Sequence, residues 1–162
     1  MGDPACHLSS VCLSCGRFIE SVDAARCPHC GEPTDGTTDQ ANSEPLFTTE
    51  QVNTILYCAA FEETVEFYRR RLGLEVTFAN DWFYEFRLHD RATLSIADAR
   101  RATISPVGGE GMTLSFKVED LDAVRRRLEE LGVDTTAIFE RFGSRVFDIH
   151  DPEGHRIEFW DG

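Results

Sequence analysis

The sequence predicts an α+β protein. Two βαβββ modules form a curved eight-stranded mixed sheet with helices on its convex face, and a small metal-binding module precedes them. Three observations lead there. A degenerate repeat places Val65, Leu72, Gly73 and Leu74 of TVEFYRRRLGLEV (64–76) against Val124, Leu131, Gly132 and Val133 of AVRRRLEELGVDT (123–135). Segments of alternating apolar and polar residues flank both copies, the pattern of half-buried strands. Two Cys-x-x-Cys-Gly knuckles, CLSCG (12–16) and CPHCG (27–31), stand near the N-terminus.

The knuckles come first in the chain. Each brings two thiolates close enough to share one ion, and its Gly allows the tight turn that aims backbone amides at the sulfurs. Two knuckles complete a closed four-thiolate site, so Cys12, Cys15, Cys27 and Cys30 are the expected ligands of a structural Zn2+. Such a site has no open coordination position for catalysis. A module this small buries too little surface to fold alone, and the metal supplies its stability. Cys6, His7 and His29 are alternative donors or solvated neighbours, and a redox or disulfide pair is the competing reading of the cysteines. The segment resembles zinc ribbons. The expected boundaries are 1–33 for the ribbon, 34–48 for a polar flexible linker, and 49–162 for the main domain.

In the main domain QVNTILYC (51–58) and MTLSFKV (112–118) read as the strands before the two helices. Each helix has apolar positions at helical spacing and stops at a Gly. Asp120 is placed to cap the second, its carboxylate accepting the free amide hydrogens of the first turn. Further strands are expected near 74–79, 82–88 and 92–97, then 133–139, 144–150 and 155–160. DPEG (151–154) is a turn. Alternation beyond it puts Arg156, Glu158 and Trp160 on one face and Ile157 and Phe159 on the other. His89 and His150 fall at strand ends and read as surface groups, with catalysts the competing reading. The arginines of 69–71 and 125–127 lie on solvated helix faces, pairing with nearby glutamates.

Composition excludes some function classes. With 29 acidic and 16 basic side chains, the formal net charge is −13. That field repels phosphate backbones and argues against general nucleic-acid binding. Lys117 is the single lysine, a balance that suits a salt-rich host or follows from genome composition. No apolar run approaches the roughly 18 residues of a membrane span. The first residues lack a secretory signal's basic start and apolar core, so a cytoplasmic location is expected.

FYRRRLGLEV (67–76), the repeated strand-helix-three-strand unit and DPEGHRIEFW (151–160) together resemble the vicinal-oxygen-chelate superfamily. It includes glyoxalases, extradiol dioxygenases, epimerases and bleomycin-resistance proteins. The resemblance covers residues 51–161 and implies a site on the concave face of the sheet. It also implies a homodimer in which strands of both chains build each groove. The superfamily's four metal positions map here to Asn53, Ser95, Thr113 and Glu158. Only Glu158 is a good donor, and no His matches, so no catalytic metal is expected. What remains is an aromatic-rich cup: Asn53, Tyr57, Trp82, Tyr84, Ser95, Thr113, Ser115, Phe147, Glu158 and Trp160. Glu158 reads a cationic or hydrogen-bond-donating ligand, acts as a base, or pairs with an arginine such as Arg156 or Arg145. The expected function is binding of a small molecule, aromatic or cationic, without catalysis. The alternatives are a metal-dependent lyase, isomerase or dioxygenase using Glu158, and an interaction protein whose ribbon recruits a partner.

Overall fold

The computed structural model describes residues 12, 14–17, 19, 25–33, 47–106 and 108–162. The chain divides into two compact units, Met1–Thr48 and Thr49–Gly162. Cys6, His7 and nearly all of the expected linker over 34–48 lie outside the described residues.

The C-terminal unit holds two βαβββ modules. The first runs β1 (Val52–Cys58), α1 (Phe61–Glu66) continued by a π-helical segment (Phe67–Arg71), β2 (Val76–Ala79), β3 (Phe83–His89) and β4 (Ala92–Asp98). The second runs β5 (Thr113–Lys117), α2 (Leu121–Glu130), β6 (Phe139–Arg141), β7 (Ser144–His150) and β8 (Arg156–Asp161). The eight strands form two four-stranded sheets, ordered β1-β4-β3-β2 and β5-β8-β7-β6. The pairs β1–β4 and β5–β8 are parallel and the rest antiparallel.

One strand departs from the sequence reading. β6 covers 139–141, where 133–139 was expected. Thr136 explains the shift: its Oγ1 accepts from the Asp148 amide at 2.9 Å, so a side chain takes the place of a main-chain acceptor. Its carbonyl is drawn to Arg125 Nε at 3.0 Å. A two-residue turn, Phe142 and Gly143, then joins β6 to β7 with φ of 51° and 82°. Positive φ at both central positions matches the right-handed twist of a hairpin, which Gly adopts freely and Phe only under strain.

One core serves both modules. Phe61, Val65 and Tyr68 on the first helix and Leu121 and Leu128 on the second are buried against Leu56, Phe86, Leu94 and Ile96 of one sheet and Phe147, Ile149, Ile157 and Phe159 of the other. The helix-covered faces of the two sheets thus share a single apolar interior; the opposite faces, which no helix covers among the described residues, are the open faces. On those open faces Ile55 and Phe78 are 40% and 52% exposed.

The turn before β8 docks on the first helix. Tyr68 OH donates to Asp151 Oδ2 at 3.0 Å, and the Ala60 amide donates to Glu153 Oε1 at 2.5 Å. α1 has no side-chain cap of its own, so Glu153 satisfies its first turn from the other module. α2 carries the expected cap, Asp120 Oδ1 accepting from the Ala123 amide at 2.9 Å.

Candidate functional site

Strand register decides which side chains share the open faces. In the second module Asp148 stands opposite Glu158, Val146 opposite Trp160, and Ser115 beside Glu158. These residues, with Thr113 and Arg141, lie on the face away from the helices. Glu158 is 2% exposed. Its Oε1 accepts from Ser115 Oγ at 2.9 Å, and its Oε2 pairs with Arg141 Nη1 at 2.8 Å. Among the described residues its ion-pair partner is therefore Arg141, and neither Arg156 nor Arg145. Arg156 Nε donates to Thr113 Oγ1 at 2.9 Å. Arg145 is engaged by Asp122 and Asp161. Arg141 reaches Glu158 because the tight Phe142–Gly143 turn sets β6 beside β7.

Asp148 is the residue that the sequence reading missed. It is 9% exposed, and its buried Oδ1 has no hydrogen-bond partner among the described residues. Burial pushes its carboxyl above the ordinary aspartate range; Arg156 and Arg141 pull it back, and Glu158 opposes them. A carboxylate oxygen without a donor is costly inside a protein, and it is where a ligand's N–H or O–H would be gained at full value. The signal was present in the sequence: an Asp between Phe147 and Ile149 on a strand must face away from them.

The first module's open face is milder. Ser95 is fully buried, and its Oγ donates to Asn53 Oδ1 at 3.0 Å. Glu85, opposite Ser95, accepts from Thr77 Oγ1 at 2.7 Å. Tyr57 is half-buried on the same face.

The ten expected pocket residues therefore divide. Asn53, Tyr57 and Ser95 share one open face, and Thr113, Ser115, Glu158 and Trp160 share the other. Two are corrected. Tyr84 pairs with Ile96 and packs on Phe61 and Phe86, in the core. Phe147 is fully buried and stacks on Phe159 at 5.2 Å. Their parity is fixed by Glu85 and Asp148, which take the open side. Trp82 precedes β3 with its ring edge-on to Phe83. His89 and His150 are exposed.

At the four mapped metal positions the donors are poor. The single carboxylate, Glu158, already carries a guanidinium, and a dication there would face Arg141 at close range. The set does not fit a catalytic metal. Cys58 is fully buried, and burial, with Glu153 and Asp151 nearby, pushes its thiol up to about 12.

The cysteine cluster does fit an ion. The sulfurs of Cys12, Cys15, Cys27 and Cys30 lie within 4.8 Å of one another, with Cys12–Cys30 at 3.6 Å and Cys15–Cys27 at 3.8 Å. A tetrahedron with Zn–S bonds of about 2.3 Å has sulfur separations of about 3.8 Å. The two knuckles fold alike: the Gly16 amide bonds the Cys12 carbonyl and the Gly31 amide the Cys27 carbonyl, each at 2.8 Å. The Cys15 amide leads in drawing the Cys12 thiol down to about 6. Cys30 moves up to about 12: the Glu32 amide favours its thiolate, but burial and the three neighbouring thiols oppose another negative charge. Holding all four as thiolates would require a cation between them.

Comparison with known proteins agrees with this geometry. The family model described as Glyoxalase/Bleomycin resistance protein/Dioxygenase superfamily matches residues 50–159. Glyoxylase I 4 of Arabidopsis thaliana is 24% identical over 124 residues, covering 70% of this chain and 71% of that protein. Lactoylglutathione lyase from Agrobacterium tumefaciens is 25% identical, with a TM-score of 0.57 over 73% of this chain and 95% of that one. TnmS3, an antibiotic binding protein from Streptomyces sp. CB03234, shares the fold at 19% identity, a TM-score of 0.56, and coverage of 72% and 96%. The chain belongs to the Glyoxalase/Bleomycin resistance protein/Dioxygenase superfamily.

Proposed function

We propose that this chain binds a small aromatic molecule through a hydrogen-bond-donating group and does so without a catalytic metal. The observation that carries the reading is the buried Oδ1 of Asp148, without a hydrogen-bond partner among the described residues, beside an ion-paired Glu158. Glu158 is a poor base or ligand reader in this setting, since both its oxygens are engaged. Trp160 supplies an aromatic wall on the same face.

The groove is completed by a second copy. Ile55 and Phe139 are exposed on the open faces, at 40% and 36%, and covering them stabilises a dimer. In this reading strands from both chains enclose each groove. The N-terminal cluster holds a structural zinc, and residues 1–33 with the linker 34–48 form a module that stabilises the chain or recruits a partner.

Two measurements test the proposal. Native mass spectrometry of the full chain should give two chains with one zinc each. A second transition metal per chain that survives Cys12→Ser and Cys27→Ser would favour the metal-dependent lyase, isomerase or dioxygenase reading. For the ligand, a Trp82→Phe background leaves Trp160 as the reporter, the chain having two Trp. Benzamide and benzamidinium should quench it, and benzoate should not. Asp148→Leu should weaken the donor probes by about tenfold or more, the value of a hydrogen bond to a charged group. Equal binding of benzoate, or unchanged binding in Asp148→Leu, would refute the assignment.

A further inference from the structure

The helix-covered side holds a feature that the open-face site does not use. At the seam between the modules lies a cleft of about 500 Å³. Leu72, Leu74 and Leu88 line it from the first module, and Phe116, Leu128 and Phe159 from the second. Phe159 points away from Glu158, its neighbour on β8, so the cleft and the open face lie on opposite sides of one strand. Its aromatic wall is ordered: Phe116 and Phe159 have ring centroids 5.7 Å apart, and Phe147 stacks behind Phe159. Protein interiors leave few voids larger than a water molecule, and ligand pockets run from about 300 to 1,000 Å³ with mostly apolar linings. The seam has the size and lining of a pocket.

Its charge is the second observation. The charged residues of the lining are Arg71, Arg127 and Lys117, and no Asp or Glu is among them. In a chain of net charge −13 that is a local reversal. Lys117 is turned elsewhere, its Nζ 4.9 Å over the Trp160 ring, which leaves the two arginines. Arg71 donates to the Leu131 carbonyl, a contact that orients the guanidinium without neutralising it. Among the described residues Arg71 has no carboxylate partner. Arg127 pairs with Glu130 at 3.1 Å, but both side chains are more than half exposed, and such a pair contributes little.

We infer that this cleft is a second ligand site, distinct from the open-face groove, for an amphipathic organic anion: an aromatic or acyl body carrying a carboxylate or sulfonate. The body lies against Phe159 and the leucines. The head group reaches Arg71 and Arg127, whose planar forks match an oxyanion. Because the walls come from both modules, an occupant ties them together and raises the stability of the unit.

The probe is anilinonaphthalene sulfonate, an aromatic anion that fluoresces in apolar surroundings, titrated against the native full chain. Phenylnaphthylamine serves as its uncharged counterpart. One sulfonate per chain is expected. Arg71→Glu with Arg127→Glu, both at exposed positions, should weaken the sulfonate about tenfold or more and the uncharged probe less than about twofold. Leu74→Trp fills the cleft and should displace both probes. Thr113→Trp crowds the open face and should change neither. Sulfonate binding that ignores the charge reversal overturns the inference, as does loss of binding in Thr113→Trp or an absence of stoichiometric binding. Leu74→Trp can disturb folding and adds a third tryptophan, so a far-ultraviolet circular dichroism spectrum matching the parent is required of it; the charge reversal decides the matter independently. The open-face probes and their Asp148 dependence are read separately, so either site can fail without the other.

Discussion

Replacing Asp151 with Ala should destabilise the C-terminal unit by about 4 kcal/mol, more than an ordinary substitution costs. Asp151 is 5% exposed and holds four donors. Oδ2 accepts from Tyr68 OH at 3.0 Å and faces His155 Nδ1 at 2.9 Å. Oδ1 accepts from the Glu153 and His155 amides at 3.0 and 2.8 Å. Each hydrogen bond to a charged group contributes about 1.5–3 kcal/mol, though not additively. Ala leaves the fully buried Tyr68 hydroxyl without its acceptor, and it frees the turn whose Glu153 caps α1. The whole joint between the modules loosens at once. Both tryptophans, Trp82 and Trp160, lie in this unit, so their emission during urea unfolding reports on it alone. At an m of about 2 kcal/mol per molar, the midpoint should fall by about 2 M. Tyr68→Phe removes one donor and keeps the ring, and should cost about 1.5 kcal/mol. An Asp151→Ala midpoint within about 0.5 M of the parent would show that the joint is held by apolar packing and not by this carboxylate.

That joint marks where sequence reasoning stopped. The repeat, the strand alternation and the Asp120 cap are local patterns, and local patterns survive folding with little change. DPEG was legible as a turn for the same reason. Its docking on Tyr68 and Ala60 was not, since those residues are 83 and 93 positions away along the chain. Face assignment failed where aromatic character was allowed to outweigh parity. Tyr84 and Phe147 look like pocket walls by composition, but Glu85 and Asp148 beside them claim the open side. Arg141 was hidden by a boundary error: with β6 expected at 133–139, it fell in a turn. The four-thiolate cluster was the opposite case, because its ligands lie in two short motifs and the geometry follows from the spacing.

Arg141→Ala should be the most damaging change on the open face, at about 3–4 kcal/mol, because it leaves a buried carboxylate without its cation. Glu158 then stands directly across the ladder from Asp148, and like charges in that position repel. The loss should depend on pH, with a sign set by Asp148. Its carboxyl already sits above the ordinary range through burial, and Arg141 is one of the two arginines that restrain it. Removing Arg141 raises it further. A carboxyl with a folded pKa above its unfolded value opposes folding when ionised. The penalty is absent below the unfolded value of about 3.9 and grows as pH climbs toward the folded one. Urea midpoints of Arg141→Ala should therefore approach those of the parent near pH 4 and fall behind toward pH 7. Removing both charges is the complementary experiment: Arg141→Met with Glu158→Leu replaces the pair by apolar volume and should recover most of the loss, since an ion pair in such a place contributes little against well-packed hydrophobic groups. Benzamide binding should survive in the double variant, because Asp148 remains. Loss of that binding together with recovered stability would move the ligand-reading role from Asp148 to the Arg141–Glu158 pair.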